Sequence, residues 1–152
     1  DEHLPAPPVT ADSSLGEILA FIDNAEKESL KIFEVWFADL PPIENVQRRK
    51  EVNPGVDGND IRLFIYEPVE TPWSCHCVYH IHGGGMVLLT ATDILYVRWR
   101  DKLAATGMAV VGVDFRNGGG SLGNYSFPAG LNDCMSGLEW TSNNRADLGH
   151  PK

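Results

Sequence analysis

Two short apolar runs with a helix between them constrain the fold of this chain most strongly. One run spans residues 75–81 and the other, MAVVGVD, spans residues 108–114. Between them, Leu95, Trp99 and Leu103 recur at helical spacing and predict the buried face of a helix. The side chains expected on its solvent face are charged: Arg98, Arg100, Asp101 and Lys102. Strand, helix and strand over about forty residues predict a βαβ crossover, and therefore two parallel strands in a sheet covered on both faces.

The N-terminal region predicts two helices. Ser14 and Glu17 have the spacing of a capping box, and apolar residues follow at the i, i+3, i+4, i+7 spacing of an amphipathic helix. A second helical segment, about residues 26–39, carries the most aromatic stripe of the chain and ends before Pro41-Pro42. We interpret this stripe either as part of the core or as a lid.

The remaining elements complete an α/β pattern. Extended segments near residues 44–51 and 60–67, joined by turn residues, predict an antiparallel hairpin at the sheet edge. A last helix is predicted from Pro128. Its expected apolar stripe consists of four residues: Leu131, Cys134, Met135 and Leu138. The fold class is therefore α/β, with a mostly parallel sheet, an antiparallel edge hairpin and helices on both faces.

The end of this pattern leaves the sheet incomplete. No further strand follows the last helix, so the sheet would have an open edge and an uncovered flank, which soluble proteins avoid. We therefore expect another segment to complete the fold, either from the same protein or as a separate polypeptide. An oligomer is also compatible with this pattern.

Composition disfavours several classes of partner. The formal net charge is −9, with 12 Lys and Arg against 21 Asp and Glu, so nucleic acid and anionic membranes are not expected as partners. No apolar run approaches the ~20 residues that span a bilayer. The three cysteines are expected as reduced, buried thiols, which favours the cytoplasm, whereas the sequon at Asn124 favours secretion. Localisation therefore stays open.

The stretch CHCVYHIHGGGM at residues 75–86 raises the alternative of a metal site. On a strand, His76, His80 and His82 would share one face, and Cys75 and Cys77 would share the other. A zinc site needs three or four ligands at defined geometry, and the sequence contains no second cluster of Cys and His. We therefore prefer a strand with a polar face, and we expect neither a metal nor another cofactor.

The glycines in this stretch carry a more specific signal. His82 is followed by Gly83, Gly84 and Gly85, directly after an apolar strand and before a helix. Glycine permits positive φ, and successive backbone N–H groups in a turn can form a concave anion site. This is the HGGG pattern of the oxyanion loop in lipases and esterases.

The order of motifs resembles a known family. YHIHGGGM, an amphipathic helix, AVVGVDFRN, a glycine-containing loop and FPAGLNDCMSGLEW follow one another. This order is similar to the N-terminal half of the hormone-sensitive-lipase-like branch of the α/β-hydrolase fold, in particular its brefeldin A esterase-like members. The resemblance covers roughly residues 40–150. It divides the chain into a helical cap segment, residues 1–42, and the N-terminal half of the hydrolase core, residues 43–152.

The resemblance also implies roles for individual residues. The backbone N–H groups of Gly84 and Gly85 would be the oxyanion donors, with Gly83 in the same loop, and His82 would anchor that loop. Three charged residues are expected to be structural: Asp114, Arg116 and Asp133. The implied activity is hydrolysis of a small-molecule ester by a serine carboxylesterase.

One part of the family pattern is missing. The nucleophile elbow G-x-S-x-G requires serine at a sharp turn between a strand and a helix. Ser121 in GGSLG has the right spacing, but a long loop separates it from both the preceding strand and the next helix. The glycines at 118, 120 and 123 also match a dinucleotide-binding fingerprint, but only weakly. That fingerprint requires its third glycine in the first turn of a helix, and here the loop continues to Pro128.

We therefore expect the nucleophile, acid and catalytic histidine on another segment beyond Lys152, so this chain alone would be inactive. A non-catalytic α/β-hydrolase-like fragment or binding subunit is the alternative.

Overall fold

The computed structural model describes residues 8–70 and 75–148. The helices are α1 (Leu15–Phe37), α2 (Ile94–Ala104) and α3 (Ala129–Asn143), with a 3₁₀ helix at Gly120–Leu122. The strands are β1 (Val46–Pro54), β2 (Asp60–Pro68), β3 (Cys77–Ile81) and β4 (Ala109–Asp114).

The four strands form one mixed sheet in the order β1-β2-β4-β3. β1 pairs with β2, and β2 with β4, in antiparallel registers. β3 and β4 are parallel and are joined through α2, so the predicted βαβ crossover is confirmed. The predicted hairpin is confirmed as well, because β1 and β2 are adjacent and β1 lies at an edge. β3 forms the other edge of the described sheet.

The core lies on both faces of this sheet. One buried cluster, centred on Leu63, Ile65, Val111 and Val113, packs with Cys134 of α3. A second cluster on the opposite face contains Tyr66, Val110 and Ala104 of α2. Since complete burial of one such aliphatic side chain stabilises the fold by about 1.5–3 kcal/mol, these two layers hold α2 and α3 against the sheet.

The N-terminal region differs from the prediction because it forms one helix of 23 residues rather than two. The capping box is confirmed: the Glu17 carboxylate accepts from the Ser14 N–H at 2.8 Å, and Glu17 N–H donates to Ser14 Oγ at 3.3 Å. No proline or glycine interrupts the helix between its two predicted parts. Much of the aromatic stripe faces solvent, with Trp36 67% exposed and neighbouring Val35 76% exposed.

The predicted orientation of α2 was wrong in part. Trp99 is 44% exposed, whereas Arg100 is fully buried and Asp101 nearly so. Arg100 lies over Gly112 of β4, where an added Cβ would approach the guanidinium to 2.8 Å. Asp101 pairs with Arg48 at 2.7 Å. The Arg100 guanidinium donates to the Tyr66 hydroxyl at 3.3 Å and to the Ala91 carbonyl. Both buried charged side chains therefore have polar partners, which makes their burial tolerable.

The predicted stripe of α3 was also wrong in part. Cys134 is buried, but the other three members of that stripe, Leu131, Met135 and Leu138, are each more than 40% exposed. The buried face of α3 is instead small and polar, with Asp133, Ser136, Gly137 and Thr141. Gly137 leaves room for the Tyr79 hydroxyl, which donates to the Cys134 carbonyl at 2.8 Å. The described residues therefore leave an apolar face of α3 uncovered.

Within the described residues, no helix combines the length and apolar character needed to cross a bilayer.

Candidate active site

Two loops meet at one edge of the sheet. β3 and β4 are parallel, so the loops that follow Ile81 and Asp114 both leave from the carboxyl ends of their strands. The loops contact each other directly, since Gly118 N–H donates to the Met86 carbonyl and Gly119 N–H to the Val87 carbonyl, both at 2.9 Å. Open α/β sheets bind their ligands at this edge. We call residues 82–93 the β3 loop and residues 115–128 the β4 loop.

His82 begins the β3 loop and is 4% exposed. Its ring stacks on Phe115 with centroids 4.2 Å apart, and its Nδ1 lies 2.8 Å from the Gly83 carbonyl oxygen. Burial lowers the pKa of His82, which favours the neutral ring; the contact with a carbonyl then places the proton on Nδ1. Nε2 has no hydrogen-bond partner among the described residues. The imidazole therefore packs the start of the β3 loop against Phe115, at the start of the β4 loop.

The glycines that follow adopt conformations that other residues rarely take. Gly84 has φ 107° and Gly85 has φ 65°. The Gly84 carbonyl accepts from Val87 N–H at 3.0 Å and from Leu88 N–H at 3.2 Å, which closes a tight turn. A Cβ on Gly84 would lie 2.0 Å from the Leu88 carbonyl oxygen, so no other residue fits there without displacing the loop.

This turn leaves backbone donors free. The N–H groups of Gly84 and Gly85 donate no hydrogen bond to any described residue. Gly83, by contrast, is approached by the Tyr96 hydroxyl, which an added Cβ on Gly83 would meet at 2.9 Å. Two successive free N–H groups on a backbone with positive φ can hold a negatively charged oxygen, because donors fixed before the charge develops need little reorganisation.

A buried carboxylate that the sequence did not single out supports both loops. Glu26 of α1 is 5% exposed and accepts hydrogen bonds from Leu89 N–H at 2.6 Å and from Ser121 N–H at 2.7 Å. The sequence contains one signal for this buried carboxylate. Glu26 lies four residues after Ile22, so a charged residue occupies a position on the apolar face of the helix.

The β4 loop is held by charged pairs. Asp133 accepts from the backbone N–H and Nε of Arg116, both at 2.9 Å, and Arg116 also pairs with Asp57 at 2.6 Å. The Asp114 carboxylate accepts from Ala91 N–H at 3.0 Å and pairs with Arg62. Asp133 raises the pKa of Arg116 above its already high value, so this cation is permanent. These contacts connect strands, loop and α3, which agrees with the structural roles expected for Asp114, Arg116 and Asp133.

A cavity of about 370 Å³ opens between the two loops, beside Gly85. Apolar groups dominate its wall, which consists of Gly85, Met86, Val87, Arg116, Gly118, Tyr125, Ser126, Phe127, Pro128, Gly130 and Leu131. Its volume suits a small organic group. The exposed residue Asn124 of the sequon lies next to Tyr125 in this wall.

The structure does not support the metal alternative. His80 Nδ1 lies 3.2 Å from an Arg100 guanidinium nitrogen, and its ring packs on Trp99 with centroids 4.5 Å apart. Burial, followed by the charge of Arg100, lowers the pKa of His80 to about 4. His76 is exposed. In the described ranges, no three His, Cys, Asp or Glu side chains are grouped so that they could hold a metal ion, and the two terminal histidines lie outside those ranges.

Ser121 does not occupy a nucleophile elbow. It lies in the 3₁₀ helix, and its N–H donates to the Glu26 carboxylate. α3 begins only at Ala129. The glycines at 118–123 therefore lack the strand-turn-helix context of a nucleophile elbow. They also lack the helix start that a dinucleotide-binding loop requires.

Comparison with solved structures identifies similar proteins. One is brefeldin A esterase, described as a bacterial homologue of human hormone-sensitive lipase, with 36% identity and a TM-score of 0.84 over 95% of this chain and 40% of that one. Another is a bacterial heroin esterase, with 26% identity and a TM-score of 0.72 over 88% of this chain and 40% of that one. No family model matches the sequence.

Similar sequences also occur among curated proteins. Tuliposide A-converting enzyme b1 of Tulipa gesneriana is 24% identical over 93% of this chain and 40% of its own length. An FAD-linked oxidoreductase, pytB, of Aspergillus terreus is 35% identical over 60% of this chain, but that match covers only 10% of the oxidoreductase. The chain spans about 40% of the length of the esterases and the converting enzyme it resembles.

Proposed function

We propose that this chain, which has the fold and sequence character of the α/β-hydrolase esterases, supplies the oxyanion hole of a serine carboxylesterase. The observation that carries the proposal is the pair of free N–H groups of Gly84 and Gly85 at the carboxyl edge of the sheet. The nucleophilic serine belongs to a further segment that completes the fold. We refer to this chain together with that segment as the assembled enzyme.

The mechanism follows from where charge develops. The serine hydroxyl oxygen attacks the ester carbonyl carbon while a histidine takes its proton, and the carbonyl oxygen becomes an oxyanion. The N–H groups of Gly84 and Gly85, with the N–H after the nucleophile, donate to that oxyanion. The histidine then protonates the departing alcohol, and water releases the acid from the acyl-enzyme. Each oxyanion donor typically contributes about 3 kcal/mol to lowering the barrier.

The cavity beside Gly85 indicates the substrate class. Its wall is mostly apolar, and the charge of Arg116 is satisfied by Asp133 and Asp57 rather than directed at a ligand. A small-molecule ester with an apolar acyl or alcohol group fits this environment better than a charged one.

The completing segment has a surface on which to pack. β3 lies at the sheet edge with Ile81 49% exposed, and the apolar face of α3 is uncovered. An added parallel strand would pair with β3, and its following helix would cover Leu131, Met135 and Leu138. That strand-to-helix turn is where we place G-x-S-x-G, with the acid and histidine further along.

A serine-directed label tests the proposal. The purified protein, with everything that copurifies, is treated with a fluorophosphonate probe and assayed for hydrolysis of p-nitrophenyl esters. We expect ester hydrolysis, and a label on a serine within G-x-S-x-G outside the GGSLG segment. A label on Ser121 would contradict the placement of the nucleophile. A folded sample that contains the completing segment but shows neither hydrolysis nor label would instead support the non-catalytic binding subunit.

A further inference from the structure

We infer that Glu26 is a positioning residue for the oxyanion hole, an inference that rests on the function proposed above. Glu26 lies on α1, outside the sheet, and the residue is 5% exposed. One oxygen accepts the N–H of Leu89 in the β3 loop at 2.6 Å, and the other accepts the N–H of Ser121 in the β4 loop at 2.7 Å. A single carboxylate thus joins the two loops of the site to the N-terminal helix.

These two hydrogen bonds are strong for their position. Both involve an anionic acceptor shielded from water, and such bonds are shorter and stronger than those between neutral groups. The partners lie 63 and 95 residues away in sequence, so the contact fixes the relative positions of three distant segments. Burial of an anion is tolerated only when it is hydrogen-bonded, and these two N–H groups meet that need.

The contact reaches the oxyanion donors through a short path. Leu89 has φ 74°, and its carbonyl accepts from Asn117 Nδ2 at 2.7 Å, so both polar groups of its backbone are held. The preceding residue, Leu88, donates to the Gly84 carbonyl at 3.2 Å. The Leu88 carbonyl oxygen packs against Gly84, where a Cβ would lie only 2.0 Å away. Movement of Leu89 would therefore displace the Gly84 backbone.

The glycines of the β4 loop fit the same interpretation. Gly120 has φ 64°, and a Cβ there would lie 2.6 Å from a Glu26 carboxylate oxygen. A Cβ on Gly119 would lie 2.9 Å from Ile22, the other buried side chain of α1. The GGGSLG segment, which is neither a nucleophile elbow nor a dinucleotide loop, is thus the surface that receives Ile22 and Glu26.

Glu26 acts through the loop and not on the substrate, because both of its carboxylate oxygens are occupied by backbone N–H groups. Its removal should therefore weaken stabilisation of the oxyanion more than it weakens binding of the uncharged substrate. This difference separates a positioning role from a purely structural one.

Glu26→Gln in the assembled enzyme is the primary variant. Glutamine keeps the side-chain size but offers one acceptor oxygen, so one loop N–H would face an NH₂ group. Gly120→Ala perturbs the same contact from the other loop, since the new Cβ would push the carboxylate away. Glu34→Gln, at an exposed position on the same helix, is the matched control.

Three measurements are made on each variant. The first is steady-state hydrolysis of p-nitrophenyl butyrate, which yields kcat and KM. The second is inhibition by a trifluoromethyl ketone, which adds to the serine and leaves an oxyanion in the site. The third is hydrogen exchange of the amides of Leu89 and Ser121.

We expect Glu26→Gln and Gly120→Ala to lower kcat by about 10- to 100-fold, the size typical of a small misplacement of catalytic groups. Inhibition by the ketone should weaken by a similar factor, KM should stay within about twofold, and both amides should exchange faster. Glu34→Gln should behave like the unsubstituted enzyme. Variants with unchanged kcat and ketone affinity, with or without lower thermal stability, would overturn the inference.

Failure of the proposed function has a different signature. If the unsubstituted assembled enzyme hydrolyses no ester and does not react with the ketone, the esterase proposal fails. Faster exchange of both amides in Glu26→Gln would still support the contact itself, whereas unchanged exchange would overturn it.

Discussion

The loops that follow β3 and β4 start side by side but are built differently. In the β4 loop and its surroundings, the charged groups are paired, with Arg116 held by Asp133 and Asp57. In the β3 loop, the backbone bends through positive φ at Gly84 and Gly85, and the N–H groups of both glycines are free of partners in the described chain. The strands differ as well, since every residue of β4 is buried, whereas β3 is partly buried at its centre and exposed at both ends.

This difference indicates that the two loops contribute differently to the stability of the fold and to catalysis. Hydrogen bonds within the protein stabilise the folded state, whereas donors without a protein partner stay available to water or to a ligand. The ion pairs of Arg116, which anchor the β4 loop, are therefore expected to contribute mainly to stability, and the glycines of the β3 loop mainly to turnover. Substitutions in these ion pairs and in the β3 loop should separate the two properties.

The largest effect is expected from Gly84→Ala. Its Cβ would lie 2.0 Å from the Leu88 carbonyl oxygen, so the turn must open and its N–H must move. We expect kcat of the assembled enzyme to fall by about 10²–10³-fold, the usual cost of losing one oxyanion donor. Steady-state hydrolysis of a p-nitrophenyl ester measures this, with circular dichroism to show that the variant is folded.

Gly85→Ala is the matched comparison. A Cβ on Gly85 meets no atom within 4 Å, so only the positive φ of 65° opposes the substitution, at a cost of about 1–2 kcal/mol. Its kcat should fall clearly less than that of Gly84→Ala. Near-normal turnover of both variants would show that the β3 loop does not take part in the reaction.

The second-largest effect is expected on the free energy of unfolding, from a substitution in the ion pair that anchors the β4 loop. Asp133→Asn leaves Arg116 without its main buried partner, and breaking a buried ion pair costs about 3–5 kcal/mol of unfolding free energy. We expect kcat of the folded variant to change by less than about threefold, because the oxyanion donors are untouched. Urea unfolding and steady-state kinetics together test this separation.

Asp57→Asn provides the control for that variant, since Asp57 contacts the same Arg116 from an exposed position. Its effect on stability should be much smaller. If Asp133→Asn were fully stable but catalytically impaired like Gly84→Ala, the division between the loops would be wrong.

The smallest expected effect is a pH dependence from β3. The pKa of His80 is lowered to about 4, mainly by burial, whereas an unfolded histidine has a pKa near 6.5. Between these values the unfolded state binds more protons, so acidification destabilises the fold. His80→Gln should therefore reduce the loss in Tm between pH 7 and pH 4.5, without removing it, because the pKa of His82 is also lowered.

Thermal unfolding of His80→Gln and of His76→Gln at both pH values tests this expectation. His76 is exposed on the same strand and serves as the control. An identical pH dependence in His80→Gln and the unsubstituted protein would contradict the assigned burial of the His80 imidazole.

Local sequence signals predicted the elements of the fold well. The capping box at Ser14, the hairpin and the βαβ unit depend on periodicity and turn chemistry within short windows, and all three are present. The position of the HGGG loop at the end of β3 follows from the same local reasoning. Its role as an oxyanion hole stays a prediction.

Long-range contacts explain what the sequence could not reveal. Arg100 is buried because Gly112, on the neighbouring strand, leaves space for its guanidinium. Glu26 is buried because two loop amides, distant in sequence, converge on it. The apolar residues of α3 remain exposed because the described chain provides no element to cover them. Periodicity identifies which residues share a face, but not what that face will meet.

The most direct test of the central claim is a crystal structure of the assembled enzyme with a trifluoromethyl ketone bound. We expect a covalent bond to a serine outside this chain, with the resulting oxyanion 2.7–3.1 Å from the backbone nitrogens of both Gly84 and Gly85, the range typical of such donors. An adduct whose oxygen is held by other groups, with the Gly84 and Gly85 N–H groups directed elsewhere, would contradict it.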